Sequence, residues 1–380
     1  MSRDCDFDRA VERRGTASVK WDHYGGRDVL PLWVADMDFP APAPVIDALA
    51  QRVQHGVFGY THATESLVET ALEHVSAHYG WTIERDWLVW LPGTVPGIHA
   101  ACRLIAEDAG VVTTTPIYPP FLAAAGHMQR RCIEAPLAAE AGRAVLDLDR
   151  LESTFAEGGR LFLFCNPHNP TGRVFTRAEL EALAERLLRH DVLVVSDELH
   201  ADLVLERGMR HYPLAAVAPE LAARTITLYA PSKTFNLAGL GLGCAVIPDA
   251  DLRRRFRAAI EGILPYVNAL AYPAAEAAWR EGWDWHAALI RYLRGNRDRI
   301  TDTLAGLPDI SATPPEGTYL YWMDLRASGM AKPVRHLENH GVGLSDGGDF
   351  GAPGFARLNF ACPRATLDAA LSRLTAAFRL

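Results

Sequence analysis

The sequence predicts an α/β protein in which a mostly parallel, seven-stranded sheet is sandwiched by helices, with a smaller α+β domain beside it. Short apolar runs rich in β-branched residues alternate with longer segments of helical period, which is the pattern of a parallel sheet covered by helices. The pattern changes after about Trp285, where strands and helices no longer alternate regularly. With 380 residues, the chain has room for about two or three domains.

Six of the strands and one connecting helix can be located from the sequence. The helix covers residues 177–190 and carries apolar side chains at the i, i+3, i+4, i+7 and i+8 positions of one face, at Leu180, Leu183, Ala184, Leu187 and Leu188. Because it separates two apolar runs, it predicts a strand–helix–strand unit. The predicted strands are 88–91, 110–115, 161–165, 192–196, 225–230 and 241–247.

We expect three regions along the chain. Residues 1–48 are irregular and rich in proline and tryptophan, which indicates an N-terminal arm that also contributes to the small domain. Residues 49–285 would form the large domain, and residues 286–380 the small C-terminal domain. Within the latter, the sequence predicts helices at 287–304, 334–339 and 364–379 and strands at 317–325 and 356–360.

Composition argues against several classes of protein. With 38 Lys and Arg against 46 Asp and Glu, the net charge of −8 gives no electrostatic attraction for nucleic acid. The six cysteines have no CxxC spacing, so neither a metal site nor a disulfide framework is expected. Residues 109–129 are uncharged but contain three prolines, which a membrane helix tolerates poorly. The N-terminus has no apolar run of a signal peptide, so we expect a cytoplasmic protein.

The strongest chemical signal is a lysine directly after a predicted strand. Lys233 lies in the segment APSKTFNLAGL among small and apolar residues. Removal of an ammonium from water lowers its pKa, and imine chemistry with an aldehyde requires a lysine that can lose its proton. A lysine that simply reaches solvent from a strand end remains the alternative.

A carboxylate follows another predicted strand, in the segment VLVVSDELH. Asp197 would lie at the carboxyl edge of the sheet, where open α/β sheets bind ligands, and it could keep a ring nitrogen protonated. A helix cap or a metal ligand is the competing interpretation. His200 follows one turn later and could face the same ligand.

Three further segments carry weaker signals. Asn169, in LFLFCNPHNPTG, could donate to a phenolate oxygen, although Asn-Pro pairs also make ordinary turns. The glycine turn in LPGTVPGIHA precedes a helix and could offer backbone N–H groups to a phosphate. Arg357 lies in an apolar strand and therefore needs an anion, either a bound carboxylate or an internal Asp or Glu.

The order and spacing of these residues are more specific than any one of them. Asn169, Asp197 and Lys233 follow successive strands and are 28 and 36 residues apart. The segments NPHNPTG, SDELH and SKTFN resemble the motifs of the fold-type I pyridoxal phosphate (PLP) enzymes, the aspartate aminotransferase superfamily. WVADMDF and APSKTFN, together with FDRAVERRGTASVKWD and RLNFACPR, resemble the cystathionine β-lyase branch of MalY and PatB, and the resemblance runs from about residue 7 to the end.

The resemblance implies PLP as the cofactor, bound by the large domain, and a role for each matching residue. Lys233 would bind the cofactor covalently and later move the proton at the substrate Cα. Asp197 would pair with the pyridine nitrogen and Asn169 would bond the phenolic oxygen. Tyr118 would stack on the ring, and His200 would lie near the phenolic oxygen.

The resemblance also implies the phosphate and substrate contacts. The phosphate would rest on Ser232 and on Tyr60 of a second subunit, so a homodimer with shared active sites is expected. Arg357 would bind the substrate α-carboxylate, with Trp33 and Ala35 at the mouth of the site. Backbone amides would complete the phosphate site, at Gly93, Thr94 and Val95.

Two positions depart from the superfamily pattern. Aminotransferases have a phosphate-binding arginine eight residues after the lysine, whereas this sequence has Gly241. The phosphate would then depend more on hydroxyls and amides. Thr94 stands where an apolar residue is usual.

The branch resemblance implies β-elimination of cystathionine or another S-substituted L-cysteine to pyruvate, ammonia and a thiol. An aminotransferase shares the chemistry up to removal of the Cα proton, and none of the motifs separates the two outcomes. A branch member specialised for an S-conjugate in secondary metabolism is also compatible. A non-enzymatic regulator is disfavoured, because the arm begins at about residue 7 and leaves no room for a DNA-binding module.

Overall fold

The computed structural model describes residues 5–378. The α-helices are α1 (Ala43–His55), α2 (Glu65–Tyr79), α3 (Thr94–Cys102), α4 (Pro119–His127), α5 (Leu148–Ala156), α6 (Arg177–Arg189), α7 (Leu214–Val217), α8 (Pro219–Ala222), α9 (Ala250–Ile260), α10 (Ala271–Glu281), α11 (Trp283–Leu304), α12 (Pro333–Asn339) and α13 (Arg364–Phe378). The strands are β1 (Leu30–Pro31), β2 (Leu88–Leu91), β3 (Gly110–Thr115), β4 (Arg131–Pro136), β5 (Ala138–Glu140), β6 (Arg143–Val145), β7 (Gly159–Cys165), β8 (Leu193–Asp197), β9 (Thr225–Tyr229), β10 (Gly243–Val246), β11 (Ser311–Ala312), β12 (Leu320–Asp324), β13 (Val342–Gly343), β14 (Ser345–Asp346) and β15 (Phe355–Asn359). The predicted end of the last helix, residue 379, lies outside the described residues.

The central sheet confirms the predicted fold class. Its seven strands run in the order β2-β10-β9-β8-β7-β3-β4. All neighbouring pairs are parallel except the two that involve β10. In register, Cys165 of β7 lies beside Asp197 of β8, and Asp197 lies beside Leu228 of β9. The loops that follow these strands therefore emerge side by side from one edge of the sheet.

The unit β7–α6–β8 shows why the sequence folds this way. Thr176 and Glu179 form a capping box that satisfies backbone N–H groups at the start of α6. The predicted apolar face is buried at Leu180, Leu183 and Leu187 and packs in the core on one side of the sheet. Leu188, which was expected on the same face, lies at its margin and is 37% exposed.

Two differences from the sequence prediction have physical reasons. Helix α1 begins at Ala43, inside the region that was expected to be irregular. The proline in this segment, Pro44, is compatible with the helix because it lies in the first turn, where proline is tolerated. Strand β4 was not predicted. It is one of the two edge strands, and its exposed residues Arg131 and Glu134 interrupt the continuous apolar run that marks the other strands.

A second, four-stranded sheet lies in the C-terminal part, in the order β11-β12-β15-β14. The N-terminal arm joins this part of the molecule, since β1 pairs in parallel with β13. The Asn359 side chain also donates to the carbonyls of Val34 and Asp36 in the arm, at 2.5 and 2.6 Å. The arm is thus fixed to β13 and to the carboxyl end of β15.

Buried ion pairs join residues within the arm to one another. The Lys20 side chain is completely buried, and its Nζ lies 2.8 Å from Asp38 Oδ2. Asp38 Oδ1 accepts hydrogen bonds from Arg13 at 2.6 Å and from the Trp21 indole at 2.8 Å. The Asp38 carboxylate is therefore compensated from three directions, which a buried charge requires.

We expect Lys20→Met to lower the free energy of unfolding by about 3 kcal/mol, the lower end of the range for breaking a buried ion pair, because Arg13 still faces Asp38. Urea unfolding followed by circular dichroism measures this. The exposed lysine supplies the matched control, Lys332→Met, which should change stability by less than about 0.5 kcal/mol. Equal midpoints for the two variants would contradict the role given to Lys20.

Within residues 5–378, no helix combines the length and the apolar character that crossing a membrane requires.

Candidate active site

One cavity of about 800 Å³ lies at the carboxyl edge of the central sheet, where the arm and the second sheet approach it. It brings together every predicted site residue except Tyr60. Those that line it are Trp33, Ala35, Gly93, Thr94, Val95, Tyr118, Asn169, Asp197, His200, Ser232, Lys233 and Arg357. Among the described residues, no cluster of three or more His, Cys, Asp or Glu side chains could hold a metal ion.

The partly buried side chain of Lys233 turns into the cavity. The turn after β9 directs its amine into the cavity, where Nζ donates to the Ala35 carbonyl at 2.6 Å. Burial and the positive charge of Arg357 lower its pKa to about 8, although Asp36 and Asp197 act in the opposite direction. An amine with this pKa is available in its neutral form near physiological pH.

Asp197 ends β8 and is 5% exposed. Its Oδ1 accepts a hydrogen bond from the Leu199 N–H at 3.2 Å, and a turn, not a helix, follows it. Burial is the main cause that raises its pKa to about 7; the neighbouring Glu198 adds to this, while the Leu199 N–H and Lys233 oppose it. Such a carboxylate lacks a strong cationic partner and would gain one from a protonated ring nitrogen.

His200 is a buried neutral imidazole. Burial, Lys233 and Arg357 lower its pKa to about 3. Its Nδ1 is buried without a hydrogen-bond partner, while the side chain lines the cavity. An unpartnered ring nitrogen at this place indicates that a polar ligand group completes the site.

The competing interpretation of Arg357, an ion pair with an internal carboxylate, does not hold. One guanidinium nitrogen donates to Asn169 Oδ1 at 2.8 Å, and another to the Trp33 carbonyl at 2.9 Å and Ser345 Oγ at 3.3 Å. Its Nε is buried without a partner. The charge therefore remains available for an anion, and Asn169, whose Oδ1 faces Arg357, keeps its N–H donors free for a ligand.

The N-terminus of α3 faces the cavity at Gly93 and Thr94, where no side chain caps the helix. Ser232 lines the same cavity. Free N–H groups and the positive end of the helix dipole suit an anion. Gly241 has φ +61°, a left-handed conformation in which an arginine would be strained.

Tyr60 lies outside the cavity and is 88% exposed. Its ring contacts Tyr266, with centroids 5.1 Å apart. Val57, Phe58, Ile263 and Tyr266 are also more than half exposed. We call these five residues the exposed apolar cluster; apolar patches of this kind mark interaction surfaces.

Sequence reasoning missed several residues at the site. Tyr319 donates to the Ala35 carbonyl at 3.1 Å, and Ser345 contacts both Arg357 and the Trp33 carbonyl. His23 and Tyr24 line the outer part of the cavity. These residues belong to no motif, and their only signal was proximity in sequence to the arm and to the C-terminal strands.

The sequence model of the aminotransferase class I and II family matches residues 27–374. The chain belongs to this family. Within it, the chain is 37% identical to cystathionine beta-lyase PatB of Bacillus subtilis (strain 168), over 98% of this chain and 99% of PatB. The predicted resemblance to the branch that contains PatB is confirmed.

Two solved structures of the same fold cover 98% of this chain. A crystal structure of OvoB has a TM-score of 0.96 and 48% identity, and 99% of that chain is covered. Cystalysin from Treponema denticola, whose crystal structure contains a pyridoxal 5'-phosphate cofactor, has a TM-score of 0.94 and 33% identity, with 98% of that chain covered. The family fold is therefore present over essentially the whole chain.

Proposed function

We propose that this chain is a PLP-dependent carbon–sulfur β-lyase that converts cystathionine or another S-substituted L-cysteine to pyruvate, ammonia and a thiol. The Lys233 amine, held with a lowered pKa among Asp197, His200 and Arg357, is the observation that carries the cofactor chemistry. Elimination, as opposed to transamination, is favoured by the similarity to the cystathionine β-lyase PatB along the entire chain.

The residues of the cavity fit PLP. A nucleophilic amine, a buried carboxylate and an uncapped helix N-terminus match its aldehyde, ring nitrogen and phosphate. The unpartnered Nδ1 of His200 supplies a further polar contact. When bound, PLP reacts through its aldehyde with amines and draws electrons from the substrate Cα into its ring.

Each side chain then has a defined task. Lys233 would hold the cofactor and, as a free amine, would accept the proton from the substrate Cα. The electron pair of that C–H bond would form a Cα–Cβ double bond as the C–S pair leaves with sulfur, which takes up a proton as the thiol; water would then release pyruvate and ammonia. Asp197 would keep the ring nitrogen protonated. Asn169 would donate to the phenolic oxygen, near His200, and Tyr118 would stack on the ring. Ser232 and the backbone amides of α3 would hold the phosphate.

The deciding experiment is incubation of the PLP-loaded protein with L-cystathionine in the absence of a keto acid. We expect sustained release of pyruvate, ammonia and free thiol, well above the rate with free PLP. Turnover that appears only after addition of a keto acid would identify an aminotransferase instead. A panel of S-substituted cysteines under the same conditions defines the accepted S-substituent.

Arg357 supplies the contact for the substrate α-carboxylate, with Trp33 and Ala35 at the mouth. We expect Arg357→Leu to raise KM by about 10- to 100-fold, the effect of losing one or two charge-assisted hydrogen bonds. Cofactor absorption should change little, since Lys233 and the phosphate contacts remain. Steady-state kinetics and visible spectra measure both, and Arg357→Lys should recover part of the affinity. Loss of bound PLP in Arg357→Leu would instead indicate a structural role.

We also propose a homodimer in which Tyr60 of each chain reaches the partner's phosphate. The exposed apolar cluster around Tyr60 supports this, because such a surface is unfavourable in water. Sedimentation should give twice the chain mass of 41.7 kDa. Mixing Tyr60→Ala with Lys233→Ala protein should restore activity, since exchanged dimers contain one intact site. A monomer, or no restoration after proven exchange, would contradict the shared site.

We infer a large PLP-binding domain of residues 49–285 and a small domain of 286–380 with the arm, 1–48. The separate four-stranded sheet and the pairing of β1 with β13 support this division. The cytoplasm is the proposed location. The free thiols of Cys102, Cys132, Cys165, Cys244 and Cys362 support it, since a reducing compartment maintains thiols.

A further inference from the structure

We propose that Asn236 is a positioning residue: its amide fixes the arm so that the Ala35 carbonyl holds the Lys233 amine in place. The function given above assigns no role to Asn236. The consequence for catalysis rests on the proposed function, whereas the effect on the amine itself does not.

Asn236 uses its entire amide on the arm. Its Oδ1 accepts from the Met37 N–H at 3.0 Å, and its Nδ2 donates to the carbonyls of Met37 at 3.0 Å and Phe39 at 2.8 Å. Its backbone has φ +59°, a left-handed conformation that asparagine tolerates better than most residues. Both the backbone and the side chain therefore favour asparagine at this position.

The arm that Asn236 fixes carries two carbonyls that face reactive side chains. The Ala35 carbonyl accepts from Lys233 Nζ at 2.6 Å and from the Tyr319 hydroxyl at 3.1 Å. Two residues earlier, the Trp33 carbonyl accepts from Arg357. A carbonyl cannot change rotamer, so its distance from Nζ depends on where the backbone of the arm is fixed.

Asn236 differs from the other groups that hold this segment. Asn359 binds the arm from β15, and Lys20 binds it from within the arm. Asn236, by contrast, lies three residues after Lys233, in the same loop. Its amide therefore connects the loop that carries Lys233 to the segment of the arm whose carbonyl Lys233 contacts. This connection joins the motif APSKTFN to the motif WVADMDF.

The contact has a chemical consequence for the amine. A carbonyl accepts hydrogen bonds only, so it stabilises the ammonium form of Lys233. The charged or titratable groups that also face Lys233 are Asp36 on the arm, Asp197 at the end of β8, His200 in the turn that follows, and Arg357 on β15. Displacement of the arm removes the carbonyl contact and moves Asp36 with it, while Asp197, His200 and Arg357 stay in place. Loss of the contact and a weaker interaction with Asp36 both lower the pKa of the amine.

The test is trace acetylation of Lys233 in the cofactor-free, full-length protein as a function of pH, read by mass spectrometry. The chain has three lysines, so Lys332, which is exposed, is the internal reference, while Lys20 is buried. Asn236→Gly removes the amide and accepts the positive φ. The matched control is Asn296→Ala, because the amide of Asn296 also bridges two backbone carbonyls, those of Phe360 and Cys362.

We expect the midpoint of Lys233 acetylation to move to lower pH by about 1 to 2 units in Asn236→Gly, the size expected for loss of one hydrogen bond to a charged group. Asn296→Ala should keep the wild-type midpoint. Hydrogen exchange of the peptide that contains Met37 should rise in Asn236→Gly alone. An unchanged or raised midpoint, or an equal shift in Asn296→Ala, would overturn the inference.

A second variant guards against misfolding of the first. Asn236→Ala also removes the acceptor and both donors and adds no charge near Lys233, so the same direction of shift is expected. In the PLP-loaded enzyme, the kinetic isotope effect of Cα-deuterated cystathionine should rise in Asn236→Gly and not in Asn296→Ala. The acetylation result involves neither substrate nor turnover, so it fails or succeeds independently of the lyase assignment.

Discussion

Lys233→Ala is expected to remove both the visible absorption of covalently held PLP and the turnover of cystathionine. The amine is the only lysine nitrogen in the cavity among the described residues. Loss of a general base alone costs about 10²- to 10⁴-fold in rate. Because Lys233 also provides the covalent attachment, the rate of turnover should fall by more than about 10⁴-fold. The phosphate site should still bind the cofactor non-covalently.

Two comparisons isolate the amine. Lys233→Arg keeps a positive charge but cannot give up its proton at ordinary pH, so it should be as inactive as Lys233→Ala. A small external amine should restore part of the activity to Lys233→Ala, which leaves space, and not to Lys233→Arg. Lys332→Ala, at an exposed position, should behave as wild type. Retention of absorption and turnover in Lys233→Ala would show that another group performs this chemistry.

The strands of the central sheet were predictable where the chain is buried on both faces, because such strands consist of continuous apolar or β-branched residues. β3 has the predicted bounds, since it is a fully buried run rich in β-branched residues. β2, at the opposite edge of the sheet from β4, was also predictable because its four residues are all apolar. The edge strand β4 was not predictable from the same signal, because Arg131 and Glu134 face solvent. The start of α1 was missed because its prolines suggested an irregular segment, although proline is compatible with the first turn of a helix.

The site was predictable where motifs follow strand ends. Asn169, Asp197 and Lys233 meet because β7, β8 and β9 are adjacent and parallel. The contact from the Ala35 carbonyl was not predictable, since any residue has a carbonyl and only the path of the arm places this one beside Nζ. Tyr60 is a different case: its predicted task requires a second chain, so it remains a prediction.

Asp197→Asn is expected to lower kcat by about 10²- to 10³-fold, the usual effect of removing one group that stabilises developing charge. Asparagine can hydrogen-bond the ring nitrogen but cannot hold it protonated, so the ring withdraws electrons from Cα less strongly. The cofactor should remain attached to Lys233. Exchange of the substrate Cα hydrogen with deuterated water, followed by NMR, should fall in parallel with kcat. Undiminished exchange would exclude Asp197 as the partner of the ring nitrogen.

The same substitution should have the opposite effect on the stability of the cofactor-free protein. Folding raises the pKa of Asp197 to about 7, so the unfolded chain loses this proton near pH 4 and the folded protein only near pH 7. Stability contributed by the protonated carboxyl is therefore lost as pH rises through this window, and the uncharged amide of the variant has no such loss. Melting temperatures of cofactor-free Asp197→Asn and wild type should diverge from pH 4 to pH 7, in favour of the variant. Bound PLP should reduce the difference, because the ring nitrogen then compensates the carboxylate; parallel curves would contradict the buried, uncompensated charge.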